Sequence, residues 1–336
     1  MNILLVKLSS VGDVVHSLPV AATLRARLGD ARVTWLLERR EAAIVRDHPA
    51  VDDVMTVDTR RWRRPPGLIG AVPAILGLRA RLADRRIDVA LDLQGLGKSA
   101  VLAWLSRAPL RIGFAPSRCR EPWSARLTNH HVLPAPDAVH VVDQYLALLE
   151  PLGASPPVHE FRLPTDALAE TTVDEFFAGA GLKPRNRVVV VSPGAGQPGK
   201  RWLAERFAAL AARLAQERGA AVVVAWGPGE EALATGIVRA AASTRVLLAP
   251  PTDLVALVAL LRRASVVVAG DTGPLHLAAA ADTPCVALWG PRPGERNEAR
   301  RNGPYGPGHR IVQSADGQMS SIGVDAVVGA VSELLA

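Results

Sequence analysis

Between Ser265 and Ala280 the chain reads SVVVAGDTGPLHLAAA, a set of residue types suited to holding an anion. Val266 to Val268 are β-branched and have the pattern of a strand buried on both faces. They run into Gly270-Asp271-Thr272-Gly273, after which an apolar helical segment starts at about Pro274. Turn glycines let the backbone come close to a ligand, and the N–H groups at a helix start face negative charge. Thr272 and His276 stand four apart, on one side of that helix. Taken alone, the stretch is equally a tight strand-to-helix turn with Asp271 or Thr272 as its cap. The histidine, and glycine-rich loops after other strands, favour a ligand site.

Those loops repeat in the second half of the chain. Ser192-Pro193-Gly194-Ala195-Gly196 is followed by Lys200 and Arg201, and Trp226-Gly227-Pro228-Gly229 by Glu230. A nucleoside diphosphate needs close backbone, a cation for phosphate and a carboxylate for ribose hydroxyls; Lys200 and Glu230 are suited to the last two. Singly, Glu230 is equally a helix-start acid and Lys200 a solvated lysine. Gly194 to Gly199 matches G-x-G-x-x-G. Pro198, a delayed helix and Trp226 in place of an acid at the next strand end argue against a dinucleotide dehydrogenase. Walker A is only approached, with Arg201 where Ser or Thr is needed and Asp92 where Gly is needed. No Asp-x-Asp pair and no H-E-x-x-H spacing occurs, so no metal and no cofactor is expected. Charge would be handled by lysine, arginine and helix dipoles.

In the first half, Asp13 is a carboxylate just past the first strand, open to a role as helix cap or as functional acid. Arg60-Arg61-Trp62-Arg63-Arg64 is a dense basic cluster followed by the apolar stretch 67–78. It reads as an exposed loop or as a contact for an anionic membrane surface. Lys98 and Arg120 add positive charge at two further strand-end loops.

The elements that must position these groups alternate along the chain. Strands are expected at Ile3 to Val6, Arg32 to Leu37, Val54 to Val57, Asp88 to Asp92 and Ile112 to Phe114. Helices are expected from Asp13 to about Leu28, with Pro19 in a first turn or at a kink, over 67–82 with Pro73 interrupting, after Ser99, and over Ala138 to Leu152. An irregular basic loop fills 115–137. Ala154-Ser155-Pro156-Pro157 is the clearest linker. Beyond it the alternation restarts, with strands at Val188 to Val191, Ala221 to Ala225, Val246 to Leu248, Val266 to Val268 and Cys285 to Leu288. The expectation is an α/β chain of two doubly wound parallel-sheet domains, 1–155 and 156–315. A C-terminal helix in 316–336 would pack back on the first domain.

Bulk properties agree with that size. At 336 residues the chain exceeds what one core usually serves. Hydrophobic residues make up 49% and charged residues 21%, ordinary for a globular protein, and aromatics only 4%, so Ala, Val and Leu fill the core. The net charge of +7 favours anionic partners. Only one aromatic interrupts the arginine cluster and no nucleic-acid-binding motif is visible, so nucleic acid is not expected. Cys119 and Cys285 are the only cysteines, which suits a reducing compartment. The first residues are too short an apolar run for a signal peptide, and no run of ~18 apolar residues would span a membrane.

The motifs SSVGDVVHSLP at 9–19, RRWRR at 60–64, DLQGLGKSA at 92–100, REP at 120–122, KRW at 200–202 and GDTGPLHLAAA at 270–280 resemble those of the bacterial lipopolysaccharide heptosyltransferases, glycosyltransferase family nine. The likeness spans nearly the whole chain, and its N-terminal motifs are most like heptosyltransferase I. It implies a GT-B fold, two Rossmann-like domains facing across a cleft, and an inverting, metal-independent transfer of heptose from ADP-heptose to Kdo on lipid A. Carried over position by position, it makes Asp13 the catalytic base. Lys200, Glu230, Asp271, Thr272, Gly273 and His276 would bind the donor, and Arg60, Arg61, Arg63, Lys98 and Arg120 the acidic acceptor. It further implies a cytoplasmic enzyme, peripheral at the inner face of the inner membrane. Residues 292–306 are longer than the usual loop there and take no role. The alternatives are a sister transferase adding a later heptose, a sugar-nucleotide epimerase, and a non-enzymatic nucleotide-binding module.

Overall fold

Asn2–Val6 (β1) is the strand that its run of Ile, Leu and Val requires: from Ile3 onward it is buried on both faces and pairs on both edges. The computed structural model describes residues 1–59, 61, 67–290, 294–295 and 297–336. They form two units, Met1–Arg162 and Leu163–Ala336.

In the first unit β1 is followed by helices α1 (Val11–Val15) and α2 (Leu18–Arg27), then β2 (Arg32–Glu38), β3 (Asp53–Val57) and α3 (Gly67–Asp84). Next come β4 (Val89–Asp92), α4 (Gly97–Leu105), β5 (Leu110–Phe114), β6 (His130–Val132) and α5 (Val141–Ala147). The sheet is parallel throughout, in the order β3-β2-β1-β4-β5-β6. The chain runs outward from β1 to β3, then returns to β4 on the other side of β1. Loops leaving β1 and β4 therefore diverge, and the crevice at their carboxyl ends is where such sheets bind ligands.

The second unit opens with α6 (Ala167–Gly179) and repeats the plan. It continues with β7 (Val188–Ser192), α7 (Ala204–Arg218), β8 (Ala221–Val224), α8 (Glu231–Ala241), β9 (Val246–Leu248) and α9 (Leu254–Arg262). Then follow β10 (Val266–Gly270), α10 (Gly273–Ala280), β11 (Cys285–Trp289), α11 (Ala299–Asn302), β12 (Arg310–Gln313) and α12 (Val324–Leu335). The order β12-β11-β10-β7-β8-β9 places its divergence between β7 and β10. Val189, Val191, Val222, Val224, Val266, Val268, Val286 and Leu288 pack against Phe207, Leu210 and Leu214 of α7 on one side of this sheet.

Several expectations need correction. The helix expected from Asp13 to Leu28 is two helices, and Pro19 lies in the first turn of α2, where a missing N–H costs nothing. Pro73 does not interrupt α3, which continues through it. The helix expected over Ala138 to Leu152 is shortened to α5 and a 3-10 turn at Glu150–Leu152, ended by Gly153 in the left-handed region. Edge strands β6 and β12 and helix α6 were not foreseen; the two strands are short, partly exposed and carry few apolar residues.

The units divide after Arg162, beyond the Pro-rich linker, because residues past it are still tied to α2. The Val158 N–H donates to Thr23 Oγ1 at 2.8 Å, and Arg27 Nε donates to the Pro156 carbonyl at 2.8 Å. The C-terminal helix, expected to return to the first domain, packs in the second: Val327, Val328, Val331 and Leu335 are part of that unit's core. Among the described residues no helix is long and apolar enough to cross a membrane.

Candidate active site

Asp13 sits in the one-and-a-half-turn helix α1, entered from β1 through Leu8, Ser9 and Ser10. Both its oxygens are fixed. Oδ2 accepts from the Ser10 N–H and from the Ser10 hydroxyl, each at 2.9 Å. Oδ1 lies 3.4 Å from Lys7 Nζ and accepts from the Tyr145 hydroxyl at 3.4 Å. Burial alone would raise this carboxyl's pKa, but the Lys7 ammonium and the Ser10 donors outweigh it and hold it below the ordinary value of 3.8. The side chain is 43% exposed, so a substrate hydroxyl can reach a carboxylate that is already ionised. Asp13 thus accepts from Ser10, the residue that caps α1, and keeps part of its carboxylate exposed.

Three loops at this end of the sheet are stitched together. Gln94 Oε1 accepts from the Leu8 N–H at 2.9 Å, and Gln94 Nε2 donates to the Ser9 carbonyl at 3.1 Å, joining the loops after β1 and β4. The Gly95 carbonyl accepts from the N–H groups of Arg120 at 3.1 Å and Glu121 at 3.3 Å, joining the loop after β5. Asp13, half-buried Lys98 in the first turn of α4, and exposed Arg120 therefore stand on adjoining loops. Asp92, at the end of β4, is buried; burial raises its pKa, against the Gln94 and Gly95 N–H groups it accepts from. Arg61 is exposed, with its N–H donated to Asp58. Arg60 and Arg63 lie outside the described residues.

In the second unit, the loops after β7 and β10 meet as the sheet order requires. Lys200 ends the 3-10 turn Pro198–Lys200 and its ammonium pairs with the Asp271 carboxylate. Its neighbours are anchored: Arg201 Nε donates to the Ala195 carbonyl at 2.8 Å, and the buried Trp202 indole to the Ile322 carbonyl at 2.9 Å. Gly270 is required at the end of β10, since a Cβ there would lie 2.8 Å from the Lys200 carbonyl oxygen. His276 is buried, and its Nε2 lies 3.2 Å from Asp271 Oδ1. The side chain leans toward the helix start, as helical side chains do, and meets Asp271 there. Burial would raise the Asp271 pKa, but His276 and Lys200 bring it below its ordinary value.

Thr272 occupies the N-cap position of α10, yet its hydroxyl donates to the Gly270 carbonyl at 3.2 Å, and no side chain caps this helix. Thr272, one of the two caps the sequence offered, thus holds the cap position without a side-chain capping bond, and Gly273 opens the helix. Glu230 takes the N-cap position of α8 and turns back, its Oε2 accepting from the Gly227 N–H at 3.0 Å. Its carboxylate lies over Gly194, where any Cβ would fall about 2 Å from it. Glu230 thus links the loops after β7 and β8.

Lys7, Tyr145 and Gln94 were missed as site residues. A lysine ending a fully apolar strand was the available signal for Lys7. Nothing near Tyr145 in the sequence points to Asp13.

Residues 75–326 match the model of glycosyltransferase family 9 (heptosyltransferase). The chain is 29% identical over 330 residues to lipopolysaccharide heptosyltransferase 1 of Escherichia coli O18:K1:H7, covering 97% of this chain and 96% of that one. It is 27% identical over 292 residues to lipopolysaccharide heptosyltransferase 3 of Escherichia coli K12, covering 83% and 79%. Among solved structures, E. coli heptosyltransferase WaaC with ADP superposes with a TM-score of 0.81 at 27% identity over 99% of this chain and all of that one; WaaC is also solved with ADP-2-deoxy-2-fluoro heptose. The family match covers three strands of the first sheet, all of the second sheet and the whole Lys200–Asp271–His276 cluster: the chain is a GT-B glycosyltransferase and belongs to family 9, the lipopolysaccharide heptosyltransferases.

Proposed function

We propose that this enzyme is a heptosyltransferase I, moving heptose from ADP-heptose to Kdo of the inner core with inversion and without a metal. The observation that carries the reading is Asp13: a half-exposed carboxylate, kept ionised by Lys7 and fixed through both oxygens at the carboxyl end of the first sheet. Asp13 takes the proton of the acceptor hydroxyl as that oxygen bonds to the anomeric carbon, and the bond from that carbon to the diphosphate breaks. One base and one displacement invert the centre, with no second carboxylate needed.

The departing diphosphate carries the negative charge. Lys200 and the uncapped start of α10 at Thr272 and Gly273 are suited to meet it. Asp271, held by His276, then shares Lys200 with phosphate and is free to accept a sugar hydroxyl. Glu230 is placed to accept ribose hydroxyls. Donor identity is supported by the relative solved with ADP and with an ADP-heptose analogue. On the acceptor side, Lys98, Arg120 and Arg61, with Arg60 and Arg63, would meet the Kdo carboxylates, at the cytoplasmic face of the inner membrane.

The test is a panel of sugar-nucleotide donors crossed with lipopolysaccharide acceptors, with and without EDTA. ADP release is expected only with ADP-heptose and Kdo-lipid A together, undiminished by EDTA. Preference for an acceptor already carrying core heptose would make it a sister enzyme, as the likeness to heptosyltransferase 3 allows. Loss of turnover in EDTA with recovery in Mg²⁺ would overturn the metal-free displacement.

A further inference from the structure

Lys7 is among the largest fully buried side chains of the molecule, and it is a lysine. An ammonium removed from water requires a partner for each of its three N–H groups. Lys7 has them. Its Nζ donates to the Leu93 carbonyl at 3.0 Å and to the Tyr145 hydroxyl at 2.6 Å, and it lies 3.4 Å from Asp13 Oδ1. The Tyr145 hydroxyl, having accepted from Lys7, has its own proton to give, and Asp13 Oδ1 accepts it. The three groups close a ring in which every proton has a direction.

Each member comes from a different element. Lys7 is the residue after β1, so the buried strand fixes its backbone. Tyr145 is on α5, with its ring packed against Phe114 at the end of β5. Leu93 follows β4. Simple stability does not call for this arrangement, since a buried ion pair is commonly no better than apolar packing of the same volume. What it does provide is a carboxylate oxygen with a fixed direction and a cation beside it.

We infer that Lys7 and Tyr145 are positioning residues for Asp13, holding its Oδ1 in line and in the ionised form through the catalytic cycle; the inference rests on the reading of Asp13 as base. Other titratable groups stand on neighbouring elements. They are buried Asp92 at the end of β4, Glu41 ahead of the 3-10 turn that packs on α1, and His16 and His140, whose rings lie edge-on 5.2 Å apart. Lys7 is the charged group among them in contact with Asp13.

The experiment compares kcat against pH for wild type, Lys7→Met, Tyr145→Phe and Asp13→Asn, with Kd for ADP-heptose and the melting temperature measured on each. Lys7→Met keeps the length and removes the charge. Its acid limb should move up by roughly one to three pH units, the size of shift an adjacent opposite charge produces. Donor Kd should stay within about twofold, because the ring lies in the first unit and the residues proposed to bind the donor all lie in the second. Tyr145→Phe keeps the packing, and should lower kcat about three- to tenfold across the plateau by loosening Oδ1, a loss no larger than one hydrogen bond allows. Should Lys7→Met fail to fold, Tyr145→Phe decides alone. Wild-type kcat for Tyr145→Phe, or a folded Lys7→Met with an unmoved acid limb, overturns the inference. Wild-type kcat for Asp13→Asn overturns the underlying reading of the base instead.

Discussion

Asp13 and Asp271 are the same residue type under the same pressure, and both resolve it in the same way. Burial favours their neutral forms, and an adjacent lysine with further donors reverses that. They differ in access, with side chains 43% and 15% exposed, which suits one to meeting a substrate hydroxyl and the other to being a fixed part of its pocket. Asp13→Asn is nearly isosteric and can still accept from Ser10. Its kcat should fall about 10²- to 10⁴-fold, the usual range for a lost general base, with donor Kd and melting temperature near wild type. Turnover within a few-fold of wild type would leave Asp13 as a helix-start residue only. For Asp271 the native pKa lies below the unfolded value of 3.8, so its stabilisation is present above that pH and is lost as pH falls through the native value. The melting-temperature gap between wild type and Asp271→Asn should be widest near neutral pH and close below about pH 4. A gap independent of pH would show that the ion pair is not its source.

At the scale of elements, the two strand-to-helix turns depend on how near one backbone lies to the next. Gly270 admits the Lys200 carbonyl to 2.8 Å from where a Cβ would be, and backbone cannot move aside as a side-chain tip can. Gly270→Ala should therefore destabilise by about 1–3 kcal/mol, the range for overpacking, and displace Lys200 from Asp271. Gly236 is the control. It lies inside α8 with nothing within 4 Å of an added Cβ, so Gly236→Ala should raise stability by about 0.5–1 kcal/mol through helix propensity. Paired thermal melts check both. Equal effects at the two sites would remove the steric argument.

For the whole molecule, the net charge of +7 and the basic cluster at 60–64, just ahead of the apolar stretch 67–78 in sequence, are the basis for a test of binding to anionic lipid. Each basic residue near such a surface contributes about 1 kcal/mol. Replacing Arg60, Arg61, Arg63 and Arg64 with Ser should weaken binding to anionic vesicles, steeply so at low salt, and raise the acceptor KM. Vesicle sedimentation and kinetics that match wild type would remove any role for this cluster in lipid binding. Both units use one strand order, so each offers one divergence point, and each candidate cluster lies on it.

Periodicity and turn chemistry were enough to expect two doubly wound sheets. Central strands such as β1, β7 and β10 are unbroken apolar runs that only a covered parallel sheet accepts, and their glycine-bearing exits mark the loops that can hold phosphate. Short edge strands escaped, because β6 and β12 bury little and so leave no apolar pattern. The motifs also carried the family and the candidate site positions, including Asp13, Lys200 and Asp271. Partnership was beyond them. That Lys200 is paired with Asp271, that His276 reaches Asp271, and that Asp13 is supported by Tyr145, 132 residues away, depend on strand register and on which loops meet at a divergence point. The same holds for α12, whose apolar stripe announced a buried face without saying whose core it joins. A single chain's pattern reports what a residue must bury or bond; only the tertiary arrangement supplies the atom on the other side.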